Sequence, residues 1–304
     1  MKNIYYMCLF LIVLFSLSAS TFAQIDIVLR KSFIDSLKNK VTIDANYKVV
    51  KMHKYPNTAK KDGDMHIAGY ADNIDLPVVA EIMNAKDENE AVNILRTFED
   101  TADQITIKGA WRIWCEHTKN YRQDQYAPLI KIKNTNPDHV FEIHPITMIQ
   151  DRDILNSLKG IDGYSYKEAA KAFERYSKIK CRLEDLNDRV LIETKGVGYN
   201  YAEFHIEITD SSQLVTDDGR FIFCKVKDKT GKTVYEKMRM VFPKNSEAEK
   251  KVKVLGKGDT MHVLGIPRVD LALVSYRIKH SVDHPYMLGW NLPVEMIIVA
   301  DLAD

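Results

Sequence analysis

The chain has 304 residues, of which 45% are hydrophobic and 28% charged, with 43 Lys and Arg against 42 Asp and Glu. That length accommodates two domains of ordinary size, each with its own core. The near-zero net charge excludes a global attraction to nucleic acid or anionic membrane, though not a local patch. Four cysteines exclude a disulfide-dense framework.

Residues 1–23 read as a secretory signal. Lys2 gives the positive start, and Thr21-Phe22-Ala23 gives a cleavage region with Ala at −1. The apolar stretch over residues 4–17 is shorter than the roughly 20 residues a bilayer span needs. The mature chain is expected to begin at Gln24, with 42 basic residues facing 42 acidic ones, and to be soluble and exported, either periplasmic or extracellular. Cys115, Cys181 and Cys224 remain, expected as small buried apolar residues. No C-x-x-C pair points to a structural zinc knuckle.

Residues 25–38 are expected to be helical, because Leu29, Phe33 and Leu37 recur every four positions. Strands are predicted at 47–52, 64–70 and 78–84. A helix follows at 87–100 with Asp87 as N-cap, then strands at 105–117 and 140–149, separated by a polar loop at 119–138. Three strands, a helix and two more strands is the order of an OB-fold, a small, partly open Greek-key barrel. A helical stripe at 165–187, marked by Ala169, Ala172, Phe173, Tyr176, Ile179 and Leu183, is expected to link two domains. Further strands are predicted at 201–208, 220–226, 234–242, 260–264, 271–278 and 294–300, with turns at Asp217-Asp-Gly219 and Lys229-Thr-Gly-Lys232. The fold class is therefore mainly β with a few helices. The organisation reads as a signal peptide (1–23), an N-terminal helix (24–42), an OB-like barrel (43–155), a helical linker (156–189) and a second β-rich domain, OB-like or sandwich (190–304). Gly63-Asp-Met-His-Ile-Ala-Gly69 echoes Gly258-Asp-Thr-Met-His-Val-Leu-Gly265, and Leu76-Pro-Val78 echoes Leu292-Pro-Val294. Duplication and shared strand vocabulary both explain such echoes.

Strand alternation sorts the ionisable residues of the first barrel. Met65, Ile67, Phe141 and Ile143 take the core phase, whereas His66, Glu81, Glu142 and His144 take the opposite one, and His117 ends its strand at the barrel mouth. A shared outer face could gather these groups into a ligand-binding site of His66, Glu81, His117, Glu142 and His144, with the 119–138 loop as its rim. Imidazoles and carboxylates suit a divalent metal, with His66, His117 and His144 as ligands. They also suit acid–base work, with Glu81 or Glu142 as the base. The competing reading is a solvated face, where polar residues belong.

The segment 62–149 resembles a group of secreted, largely uncharacterised proteins with an OB-like barrel. The likeness is carried by Asp62-Gly-Asp64 with His66 and Ile67, by Glu81, by Gly109 with Trp111 and His117, and by Glu142-Ile-His-Pro-Ile146. It covers about a third of the chain and implies the fold and the site rather than a chemistry. The D-G-D start is also similar to thermonuclease-like OB-folds, which would cast Asp62, Asp64 and Glu81 as calcium carboxylates and Arg112 as a phosphodiester clamp. The second arginine of that arrangement is missing. A stretch of Tyr47, Lys48, Lys51, Lys54, Tyr55, Lys60 and Lys61 offers a further surface for a phosphate backbone, against a solvated lysine-rich edge. His280 and His284 fall in an expected loop. The function expected first is an exported binding protein whose ligand is an oligonucleotide, an oligosaccharide or a protein. A metal-dependent hydrolase of phosphodiesters comes second, and an envelope protein that binds a partner through 190–304 comes third.

Overall fold

The computed structural model describes residues 24–118, 122–196, 198–210, 212–280 and 290–302. The expected signal segment, Lys119, Asn120 and Tyr121 of the polar loop, and His284 lie outside these residues. The strand β1 (Gln24–Arg30) leads into helix α1 (Lys31–Leu37). Then follow β2 (Thr42–Met52), β3 (Met65–Ala71), β4 (Val78–Ile82), helix α2 (Asn89–Thr97), β5 (Ile105–Ile113), β6 (Arg122–Asp124), β7 (Phe141–Ile149) and β8 (Arg152–Asp153). Strands β2 and β3, β3 and β4, β7 and β5, and β5 and β2 pair antiparallel, and β4 closes onto β7 in parallel. That closure, with α2 between the third and fourth strands, is the OB barrel.

The chain continues through β9 (Lys167–Glu168), α3 (Ala169–Lys178), β10 (Lys180–Leu186) and β11 (Arg189–Lys195) to β12 (Ala202–Ile208), β13 (Leu214–Thr216), β14 (Gly219–Lys227) and β15 (Thr233–Pro243). It ends with α4 (Glu247–Val252), β16 (Thr260–Val269), α5 (Leu271–His280), β17 (Trp290–Asn291) and β18 (Val294–Asp301). Here β12, β14, β15, β16 and β18 repeat the first barrel's pairing, including the parallel closure of the third strand on the fifth. The second β-rich region is thus a second closed five-stranded barrel. The motif echoes do not mark this repetition. Gly63 precedes the second strand of one barrel, whereas Gly258 precedes the fourth strand of the other.

Three elements depart from expectation. Residues 24–30 are a strand because Ile25, Ile27 and Leu29 alternate and pair along the whole of β11, a partner far away in sequence. The helical stripe at 165–187 stops at Lys178, and Cys181 and Leu183 bury one face of β10 instead. Together β17, β10, β11, β1 and β6 form a third sheet beside the barrels. The strand expected at 271–278 is α5, with Asp270 accepting a hydrogen bond from the Leu273 amide at 2.9 Å, an N-capping contact that ties off a helix start. A run such as Leu271-Ala-Leu-Val274 fits either period, and the cap decides it.

Apolar side chains from both barrels and the third sheet join into one contiguous core. Cys115, Cys181 and Cys224 are buried and unpaired, and burial pushes their thiols up to about 12, 11 and 12. The barrels meet where β5 faces β16. Arg112 Nε donates to Pro267 O at 2.8 Å, and Arg268 Nη1 donates to Trp111 O at 2.9 Å. The connection into β2 is gripped from the second barrel, since Asp218 Oδ2 accepts from the Val41 and Thr42 amides at 2.9 and 2.8 Å.

Candidate functional site

Strand register assembles the predicted residues on the outside of the first barrel. His66 stands opposite Glu81 across β3 and β4, and Glu142 stands opposite Arg112 across β5 and β7. Alternation adds His144 beside Glu142, and Asp64, just before β3, beside His66. This face is not a solvated ligand platform. Asp64 and His144 are 0% exposed, and His66, Glu81, Arg112 and Glu142 are buried as well.

Two covers explain the burial. The described part of the 119–138 loop lies over the face instead of rimming it. Ile132 packs on Ala68 and Val79, anchored where Tyr70 Oη donates to Ile130 O at 2.7 Å and accepts from the Ile132 amide at 3.1 Å. The second cover is Tyr201, which leads into the second barrel. Its hydroxyl donates to Asp64 Oδ2 at 2.6 Å and lies 2.9 Å from His144 Nε2.

The enclosed groups are mostly charged. Arg112 Nη1 donates to Glu142 Oε2 at 2.5 Å. Burial alone would raise the Glu142 carboxyl, but Arg112 with His139 and His144 hold it well below the usual carboxylate range. Burial likewise opposes a charge on His144, yet Glu81, Asp64 and Glu142 around it push the imidazole up to about 10. His144 Nδ1 is 3.3 Å from Glu81 Oε2, and His66 Nε2 is 3.6 Å from the same oxygen.

His53, His66, His117 and His139 form a row. The rings of His53 and His66 stack at 4.7 Å, those of His66 and His117 meet edge-on at 6.3 Å, and those of His117 and His139 stack at 5.1 Å. Burial lowers His53 and His117 to about 4, so both are neutral at pH 7.

Among the described residues, the metal donors that converge are Asp64, Glu81 and His144, with one atom from each within 4.8 Å of the others. This differs from the expected His66, His117 and His144 set. His66 lies beside Glu81, and His117 lies beyond His66 against Asn136, 3.2 Å away. Arg112 is too enclosed to clamp a phosphodiester. The basic stretch does not form one stacking surface either, because Tyr47 is buried with its hydroxyl on Ile67 O and Val78 O at 2.6 and 2.9 Å. His280 ends a helix rather than lying in a loop, its ring stacked on Tyr276 at 4.1 Å.

Sequence reading missed His53 and His139, which fall just outside the predicted strands, and Tyr201, which opens the strand predicted at 201–208 in the other β region. It also missed a groove on the second barrel. There β14 and β15, the second and third strands, border a cavity of about 400 Å³ that includes Lys180, Phe223, Lys237, Arg277 and Trp290. It runs into a more apolar one of about 570 Å³ through the shared Phe223, Arg239, Asp270 and Leu273. Lys237 Nζ lies 4.7 Å from the Phe223 ring centre, and Arg277 Cζ lies 4.5 Å from that of Trp290. Both rings are 40% exposed. The available sequence signal was Phe223 sharing its strand phase with Lys225, opposite Ile222, Cys224 and Val226.

The fold and these sites define a mainly β, two-barrel protein of OB topology. Among described residues, no helix is long and apolar enough to cross a membrane. No protein-family model matches the chain, and no curated protein matches it. Among solved structures, it is similar to a deletion variant of the single-stranded DNA binding protein from Thermus aquaticus. That match has 10% identity and a TM-score of 0.21, and covers 86% of this chain and 90% of the other. It is also similar to the Ifi202 HINa domain in complex with 20-bp double-stranded DNA, with 10% identity and a TM-score of 0.18, covering 85% of this chain and 96% of the other.

Proposed function

We propose that this is an exported binding protein whose second barrel takes single-stranded nucleic acid along the groove beside β14 and β15. The observation that carries this reading is the pairing of exposed aromatic faces, Phe223 and Trp290, with Lys180, Lys237 and Arg277 in one depression. Stacking on rings is tolerant of base identity, and cations along the same track neutralise phosphates. Among the described lining residues, the acid common to both cavities is Asp270, which is offset by the buried Arg239 3.5 Å away. The second and third strands of an OB barrel are also the general ligand face of the fold. This local cationic patch operates on a chain with no useful net charge.

Fluorescence anisotropy with labelled oligo-dT tests the reading. Phe223→Ala and Trp290→Ala are each expected to weaken binding by about 1–3 kcal/mol. Lys237→Ala should reduce the salt slope by about one. Undetectable oligo-dT binding at low salt would sink the proposal, and heparin binding in its place would point to an anionic glycan. Export rests on residues 1–23. It predicts that protein recovered from the periplasm or the medium begins at Gln24, and a cytoplasmic chain that keeps Met1 would refute it.

A further inference from the structure

We infer that Asp64, Glu81 and His144 form a binding site for a divalent first-row transition-metal ion at the seam between the two barrels, supported from the second barrel by Tyr201. Two carboxylates and one imidazole are the donor types that zinc and manganese take, and one donor atom of each residue lies within 4.8 Å of the others. Asp64 and His144 are 0% exposed and Glu81 is 3% exposed. Two carboxylates balance one dication, while the neighbouring Glu142 is already offset by Arg112.

Unpartnered atoms point the same way. Asp64 Oδ1 is buried and makes no hydrogen bond, although such a group is costly to leave unpaired. His144 Nδ1 makes none either, facing Glu81 Oε2 at 3.3 Å and Glu142 Oε2 at 3.7 Å. The remaining atoms of the same side chains are committed. Asp64 Oδ2 accepts from Tyr201, and His144 Nε2 lies against the Tyr201 hydroxyl. A ligating histidine is usually held in this way, with its second nitrogen tied to an outer partner that fixes the ring. Here the tie leaves Nδ1, the nitrogen nearest Glu81 Oε2, as the donor.

A proton on His144 could supply a positive charge at the same place. It would leave Asp64 Oδ1 without a partner, whereas a metal ion among the three side chains engages that oxygen as well. His66, whose side chain is 11% exposed, lies beside Glu81. The site is separate from the nucleic-acid groove and stands or falls without it.

The test uses the full mature chain, stripped with a chelator and titrated with zinc chloride by calorimetry, with thermal melts in parallel. One zinc per chain and a raised Tm are expected. Glu81→Gln and Asp64→Asn should each lose about tenfold or more in affinity and abolish the Tm rise. His262→Gln should bind as the parent does. It probes a stacked histidine pair of the second barrel, His205 and His262, whose rings are 4.4 Å apart. X-ray absorption of the zinc-loaded parent, which needs no variant, should show a mainly oxygen shell with one imidazole. Absence of stoichiometric binding overturns the inference. So does binding that survives Glu81→Gln and Asp64→Asn but is lost in His262→Gln, or a metal shell without imidazole.

Discussion

Arg268→Ala is expected to destabilise the protein by about 3–5 kcal/mol, the range for breaking a buried ion pair by removing one partner. Arg268 and Glu295 are both 0% exposed, and Nε donates to Glu295 Oε1 at 2.7 Å. The same guanidinium donates to Val41 O, Trp111 O and Lys40 O at 3.2, 2.9 and 3.1 Å, and its Cζ lies 3.6 Å from the Trp111 ring centre. Alanine therefore opens a cavity, takes a donor from three carbonyls across the barrel seam, with Lys40 O keeping the Trp111 indole N–H at 2.7 Å, and leaves Glu295 with Arg239, 3.2 Å away. Burial raises Glu295 to about 7 even against the two arginines. A carboxyl raised in the folded state favours folding at low pH and loses that contribution as pH rises through its folded value. The Arg268→Ala penalty should accordingly be smaller at pH 5 than at pH 8, and Arg268→Ala combined with Glu295→Gln should recover part of it. Urea denaturation at both pH values measures this. A penalty below 1 kcal/mol would show that the seam does not depend on Arg268.

Glu142→Gln should cost about 3 kcal/mol or more for the same reason, with the charge now stranded on Arg112. Glu142 and Arg112 are each 1% exposed, and the nearest remaining carboxylate, Glu116, is 3.8 Å from Arg112 Nη2 on a partly exposed side chain. The pH dependence has the opposite sign to that of Glu295. Glu142 is held well below the usual carboxylate range, so its contribution is present above the unfolded value of about 4.5 and is lost as pH falls through the folded one. The gap between parent and variant should thus stay constant from neutral pH to mildly acid pH and close only in stronger acid. Replacing the pair together, Glu142→Leu with Arg112→Met, should cost less than Glu142→Gln alone, because apolar isosteres of a buried pair are often neutral. A double variant worse than the single one would show that Glu142 matters chiefly through His139 and His144.

The first barrel was legible because its order rests on local signals. Turn residues bound its strands, and one amphipathic helix falls between the third and fourth. The second barrel was legible only as one of two alternatives, OB-like or sandwich. Its last crossover is a helix whose apolar run Leu271-Ala-Leu-Val274 mimics a strand, and the third sheet joins β1 to β11 across more than 150 residues. At the buried cluster, strand phase placed His66, Glu81, Glu142 and His144 opposite the core. It could not reveal what covers them, since Ile132, His139 and Tyr201 arrive from separate segments. The groove on the second barrel was hidden for a related reason, because Lys180 and Trp290 reach β14 and β15 from the third sheet.

By itself the sequence determined which residues alternate, where turns break the strands and which ionisable side chains face away from the barrel core, because these follow from short-range periodicity. Only the tertiary structure decided that the outward face of one barrel is an interior of the whole protein. Packing the second barrel and the long loop against that face removes its water, so carboxylates and imidazoles that would be an ordinary wet surface become a dense, partner-demanding network.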